Sequence, residues 1–250
     1  MDAPAEIWLK LENLQPIGAF KIRGAANAIR SAPAAETAQG VVTVSAGNMA
    51  QGVAWAAREL GVPATVVAPE QAPQTKLDAI ERLGGRVVKV PYERWWEIMT
   101  TSRYDDADGL FVHPVQDERV MAGNGTIGLE LAEDLPDADA VLVPWGGGGL
   151  FTGIASALAA LRPETRVYAV QPETGAAVSA ALAAGALAIP VKRPPPPHGP
   201  STASASGRSS ASSSPIVPLP AITRSSWTGW TNSPSASSYR EVVMISHQRS

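Results

Sequence analysis

The chain has 250 residues and no cysteine, and its histidines are limited to His113, His198 and His247, which excludes disulfides, thiolate metal sites and a cysteine nucleophile. No stretch approaches the ~20 apolar residues of a membrane span, and no basic-then-apolar leader opens the chain, so a cytoplasmic protein with no membrane or nucleic-acid partner is expected. The net charge of −3 hides an asymmetry: 14 Lys and Arg stand against 22 Asp and Glu up to Pro190, and 6 against one from Val191 onward.

In chain order, a turn at Gln15 to Gly18 leads into a helix that carries Lys21 near its start. The β-branched run Val41-Val42-Thr43-Val44 predicts a strand, Ser45 to Asn48 a turn, and Ala50 to Leu60 a helix ended by Gly61-Val62-Pro63. Ala64 to Ala68 reads as a second strand, Gln74 to Leu83 as a helix stopped by Gly84-Gly85, and Arg86 to Val90 as a third strand. Apolar strands separated by helix-length spacers imply right-handed crossovers and a parallel sheet. The pattern resumes with a helix over Gly128 to Asp134, a strand over Ala140 to Pro144 and a glycine loop at Gly146 to Gly149. A helix over Leu150 to Leu161, a strand over Arg166 to Val170 and a helix over Gly175 to Ala184 complete it.

Beyond Val191 the pattern stops and gives way to Pro194 to Pro197, serine runs such as Ser209 to Ser214, and a single acidic residue, Glu241. Such a composition buries too little apolar surface to offset chain entropy, so a disordered Pro- and Ser-rich tail is expected over 191–250. A natural flexible tail and out-of-frame translation of a gene for a longer folded protein both explain it. Trp227 and Trp230, odd in a linker, favour the second.

Three segments carry chemistry. A lysine near a helix start is usually a solvated surface group, but partial burial favours its neutral amine, which then forms a Schiff base with an aldehyde and serves as a base. Gly146 to Gly149, between a strand and a helix, leaves backbone N–H groups free to close around an anion. A tight turn is the plainer explanation, although it needs only one or two glycines. A dinucleotide site is disfavoured because the first strand-helix turn lacks the Gly-x-Gly-x-x-Gly pattern. Ser45 to Gly52 places a hydroxyl, an amide and open N–H groups at another helix start, suited to a carboxylate or simply to capping.

Together, Leu11 to Gly24, Ser45 to Gly52 and Gly146 to Leu150, with His113 to Asp117 and Ala122 to Thr126 between them, resemble the fold-type II pyridoxal-phosphate enzymes, most closely threonine/serine dehydratases and serine racemase. The resemblance covers roughly residues 7 to 189. It implies an α/β fold of two parallel-sheet domains, as in the tryptophan synthase β-like architecture: a small domain over 38–117 and a large cofactor-binding domain, incomplete, over 1–37 and 118–190. It implies pyridoxal 5'-phosphate on Lys21, Phe20 beside its ring, Asn48 on its phenolic oxygen, and its phosphate on Gly146, Gly147, Gly148, Gly149 and Leu150. Ser45, Ala46 and Gly47 take the substrate carboxylate region.

The activity so implied is release of ammonia from a hydroxy amino acid such as threonine or serine, giving a 2-oxo acid, by an enzyme able to form a homodimer. β-Replacement of the cysteine-synthase type and an inactive fragment are the alternatives. Serine racemase has a hydroxyl where this chain has Ala46, which favours elimination over racemisation. Met49 stands where the family usually has His. The family's cation ligands follow the strand that Arg166 to Val170 matches, and only Glu173 is acidic there, so no metal is expected. Against the family pattern the chain starts several dozen residues late, and after Pro190 the partner of the pyridine nitrogen finds no match.

Overall fold

Val41 to Val44 are buried throughout, as an apolar strand covered on both faces must be. They form the centre of a parallel sheet in the computed structural model, which describes residues 5–173, 180, 183, 216–218 and 242–248. In chain order the first half comprises β1 (Ala5–Leu11), a 3-10 turn (Glu12–Leu14), α1 (Lys21–Arg30), α2 (Ala34–Thr37), β2 (Val41–Val44), α3 (Asn48–Glu59), β3 (Ala64–Pro69), α4 (Gln74–Arg82) and β4 (Gly85–Val90). The remainder comprises α5 (Tyr92–Thr101), β5 (Leu110–Phe111), α6 (Glu118–Asp134), β6 (Ala140–Pro144), α7 (Gly149–Leu161), β7 (Arg166–Val170), β8 (Ile216–Pro218) and β9 (Val242–Gln248).

One sheet runs β4-β3-β2-β5, all parallel, with Val41 opposite Ala64 and Leu110. The other runs β7-β6-β9-β1-β8. In it β6 and β7 are parallel, but β9 lies antiparallel to both β1 and β6, and β8 antiparallel to β1, so this sheet is mixed where a parallel one was expected. Both odd strands come from the region expected to carry no regular structure. Val242-Val243-Met244-Ile245 is an apolar, β-prone run within that Ser- and Pro-rich stretch. The rest of 191–250 lies outside the described residues, as does the helix expected over 175–184 apart from Ala180 and Ala183.

One helix difference concerns α6, which begins at Glu118 rather than Gly128. The Asp117 side chain caps it by accepting from the Arg119 N–H at 2.8 Å. Its glycines, poor helix formers alone, are required by packing: a Cβ on Gly123 would collide with the Arg23 carbonyl, and one on Gly128 would stand 2.9 Å from the Ile154 carbonyl. The helices pack consecutively, α3 on α1, α1 on α6 and α6 on α7. This row is the scaffold of the site, because it carries Lys21 and the helix starts that follow β2 and β6.

Candidate functional site

Lys21 is the first residue of α1 and half-buried, with its ammonium 4.7 Å from the centroid of the Phe20 ring. Phe20 is buried in the same apolar cluster as Leu150, Ile154 and Ile127, so the residue before the lysine packs with the start of the helix that follows the glycine loop. On the other side, α3 approaches so closely that a Cβ on Gly52 would stand 3.2 Å from the Lys21 carbonyl oxygen. The first turn of α1 therefore joins the helix after Ser45 to the helix after Gly146.

The turn between β2 and α3 is fastened at its root by the Ser45 N–H, which donates to the Val67 carbonyl at 3.1 Å. The Ser45 hydroxyl accepts from the Gly47 N–H at 3.2 Å, while Ala46 packs against the cluster of Ala50, Ala54 and Leu77. Asn48 is the exposed first residue of α3, and no side chain caps that helix, which leaves backbone donors for an incoming anion. Met49 is buried against Ala25 and Val53.

At the second helix start, Gly148 has φ +90°, a conformation that excludes ordinary side chains, and it precedes α7 without a capping side chain. Gly147 is tight for a different reason: a Cβ there would lie 3.1 Å from both methyls of Val115. The Val115 and Gln116 N–H groups both donate to Nδ1 of buried His113, whose Nε2 pairs with the Met99 carbonyl, so the segment His113 to Gln116 forms a fixed wall behind the loop. A Cβ on Gly146 would meet nothing within 4 Å. Neither conformation nor protein packing demands glycine there, and the open volume lies beside exposed backbone.

Two residues beyond Lys21, the Arg23 guanidinium is buried and every one of its N–H donors is used. Nε and Nη2 donate to Glu12 at 2.8 and 2.9 Å, Nη1 and Nη2 to Glu130 at 2.7 and 2.9 Å, and Nη1 also to the Thr126 hydroxyl at 3.0 Å. Lys10, equally buried, pairs with Glu130 at 2.7 Å. Burial opposes the Arg23 charge, but hydrogen bonds from Arg23 to Glu12 and Glu130 and their negative charge outweigh it and hold the guanidinium above its ordinary range. Burial likewise pushes the Glu130 carboxyl up, yet hydrogen bonds from Arg23 and Lys10 prevail and hold it below the usual carboxylate range.

The family described as pyridoxal-phosphate dependent enzyme matches residues 2–227. The chain belongs to this family. It is 46% identical over 183 residues to an L-threonine ammonia-lyase of Thermotoga maritima, covering 72% of this chain and 45% of that protein. A second L-threonine ammonia-lyase, of Geobacter sulfurreducens, is 48% identical over 185 residues, covering 70% of this chain and 43% of that one. The solved serine racemase of Dictyostelium discoideum has a TM-score of 0.65 and 38% identity over 70% of this chain and 58% of its own. The chain spans about half the length of the curated relatives it matches.

A pyridoxal-phosphate dependent enzyme needs a cradle for a phosphate, and the open volume at Gly146 beside the uncapped start of α7 fits one. Sequence reasoning singled out the loop and the lysine but not their surroundings: the charged network of Arg23, Val115 behind Gly147, and the approach of Gly52. Arg23 had a detectable signal. After Lys21, α1 reads Ile-Arg-Gly-Ala-Ala-Asn-Ala-Ile-Arg, too poor in polar residues to offer a full solvent face, so a charge within it is a candidate for burial.

Proposed function

We propose that this chain is the core of an ammonia-lyase, a dehydratase that converts a hydroxy amino acid such as L-threonine or L-serine into a 2-oxo acid and ammonia. The supporting observation is the first turn of α1: Phe20 shares a cluster with Leu150, and the Lys21 carbonyl abuts Gly52, so the lysine lies between two uncapped helix starts. The names and identities of the ammonia-lyase relatives support the same chemistry. The reading keeps a small domain over 38–117 and a large one over 1–37 and 118–190, a cytoplasmic setting and a homodimer. No helix among the described residues is long and apolar enough to cross a membrane.

Pyridoxal 5'-phosphate, when bound, supplies an electron sink for negative charge at the substrate α-carbon. Backbone N–H groups from Gly146 to Leu150 would hold its phosphate, Phe20 would lie beside the ring, and Asn48 would donate to the phenolic oxygen. The Ser45 hydroxyl and the first N–H groups of α3, with Ala46 and Gly47 shaping the turn, hold the substrate carboxylate and orient the α-carbon. The Lys21 amine is the group that would hold the cofactor aldehyde and, when free, would serve as the base for the substrate α-proton. Ala46 offers no proton to the opposite face, which leaves loss of the β-hydroxyl as the outcome rather than racemisation.

The test mixes purified protein with pyridoxal 5'-phosphate and follows the visible band of cofactor held covalently on lysine. Lys21→Ala is expected to abolish that band without changing the far-UV circular dichroism. A band that persists in the variant removes Lys21 from the mechanism.

A further inference from the structure

We infer that Arg23 is a positioning residue for Lys21, setting the rotation and height of the first turn of α1 so that the lysine amine meets the cofactor aldehyde. The inference rests on the reading that Lys21 carries the cofactor. The start of α1 carries no side-chain cap hydrogen bond. Apolar packing decides which face of α1 is buried, but its contacts are non-directional and set the rotation less sharply than hydrogen bonds do.

The Arg23 fork is directional. It meets Glu12, just beyond β1, through Nε and Nη2, and Glu130 on α6 through Nη1 and Nη2. A planar guanidinium with every donor satisfied from two sides fixes the direction in which its helix faces them. The same α6 packs on α7, where a Cβ on Gly125 would stand 3.0 Å from the Gly153 carbonyl, so Arg23 orients the lysine turn toward the body that carries the glycine loop. Stability alone is a poor reason for such a cluster, since desolvating Arg23 and Glu12 offsets much of the attraction between them. Direction is what an apolar substitute would lose.

The experiment compares two probes on the full chain: pyridoxal 5'-phosphate, whose aldehyde bonds lysine, and pyridoxine 5'-phosphate, which has an alcohol there and uses the phosphate loop without that bond. Arg23→Lys keeps the charge but loses the fork. It is expected to weaken pyridoxal 5'-phosphate about tenfold while leaving pyridoxine 5'-phosphate within about twofold of wild type. Equal weakening of both probes, or of neither, overturns the proposal. Glu130→Gln, at a partly exposed position, is the second variant should Arg23→Lys not fold, with the same selective loss expected at about threefold. If neither variant folds, the network serves the fold itself and the proposal is wrong. Lys21→Ala is the control: it must bring pyridoxal 5'-phosphate down to the affinity of the alcohol. If it does not, the reading of Lys21 fails first, and the role of Arg23 falls with it.

Discussion

Two turns in this chain do the same topological job, leading from the end of a parallel strand into a helix, and they are built in opposite ways. Ser45 to Gly47 uses side chains: the Ser45 hydroxyl accepts from the Gly47 N–H, and Gly47, at φ −117°, is in a conformation open to any residue. Gly146 to Gly148 uses none, and its last residue, at φ +90°, is confined to glycine. The first turn sets a hydroxyl beside the open N–H groups of a helix start, a surface suited to a small planar anion. The second strips its surface to backbone, so that a larger, rounder anion approaches N–H groups directly. On the proposed reading these anions are a substrate carboxylate and a cofactor phosphate.

The strongest test of that contrast lies in the glycine loop. Gly148→Val forces a β-branched residue to positive φ, at a cost of about 1–3 kcal/mol or more, and is expected to abolish cofactor binding in a titration. Gly146→Val is the discriminating partner, because a Cβ there meets no protein atom and φ is not positive, so the melting temperature should hold. Its expected effect is a loss of cofactor affinity of roughly tenfold or more, from filling the cradle alone. Unchanged affinity would show that the phosphate is held elsewhere.

The Ser45 turn should respond in the other ligand. A hydrogen bond to a charged group contributes about 1.5–3 kcal/mol, so Ser45→Ala is expected to weaken L-serine binding to the cofactor-loaded protein roughly tenfold, with cofactor affinity unchanged. If the variant loses cofactor and keeps the amino acid, the roles of the turns are exchanged.

The smallest effect concerns the helix row beneath both turns. The Glu130 carboxyl is held below its ordinary 4.5 in the folded protein, so its contribution to stability is complete above that value and is lost as the pH falls through the lower folded one. Below about pH 4.5 the melting temperature of the wild type should therefore fall more steeply than that of Glu130→Gln, by a few degrees over the acid limb. Parallel acid limbs would mean that Glu130 titrates alike in the folded and unfolded chain.

Local pattern alone made much of this protein legible. The apolar runs at Val41, Ala64 and Ala140 declared strands, because strands buried on both faces cannot be disguised by polar residues, and the glycine and proline stops after Leu60 and Leu83 ended helices at the residues observed within one or two positions. Lys21 and the glycine loop were visible as residue types suited to an aldehyde and an anion. What the tertiary structure decided was every relation between distant segments. The glycines within α6 are poor helix formers by propensity, and only the fold shows the Arg23 and Ile154 carbonyls occupying the space a Cβ would take. Likewise, nothing near Arg23 in the chain reveals that Glu12 and Glu130, far apart in sequence, close on it together. Propensity and periodicity are properties of neighbouring residues, whereas steric exclusion and ion pairing depend on which surfaces the fold brings into contact, and only the folded chain specifies those.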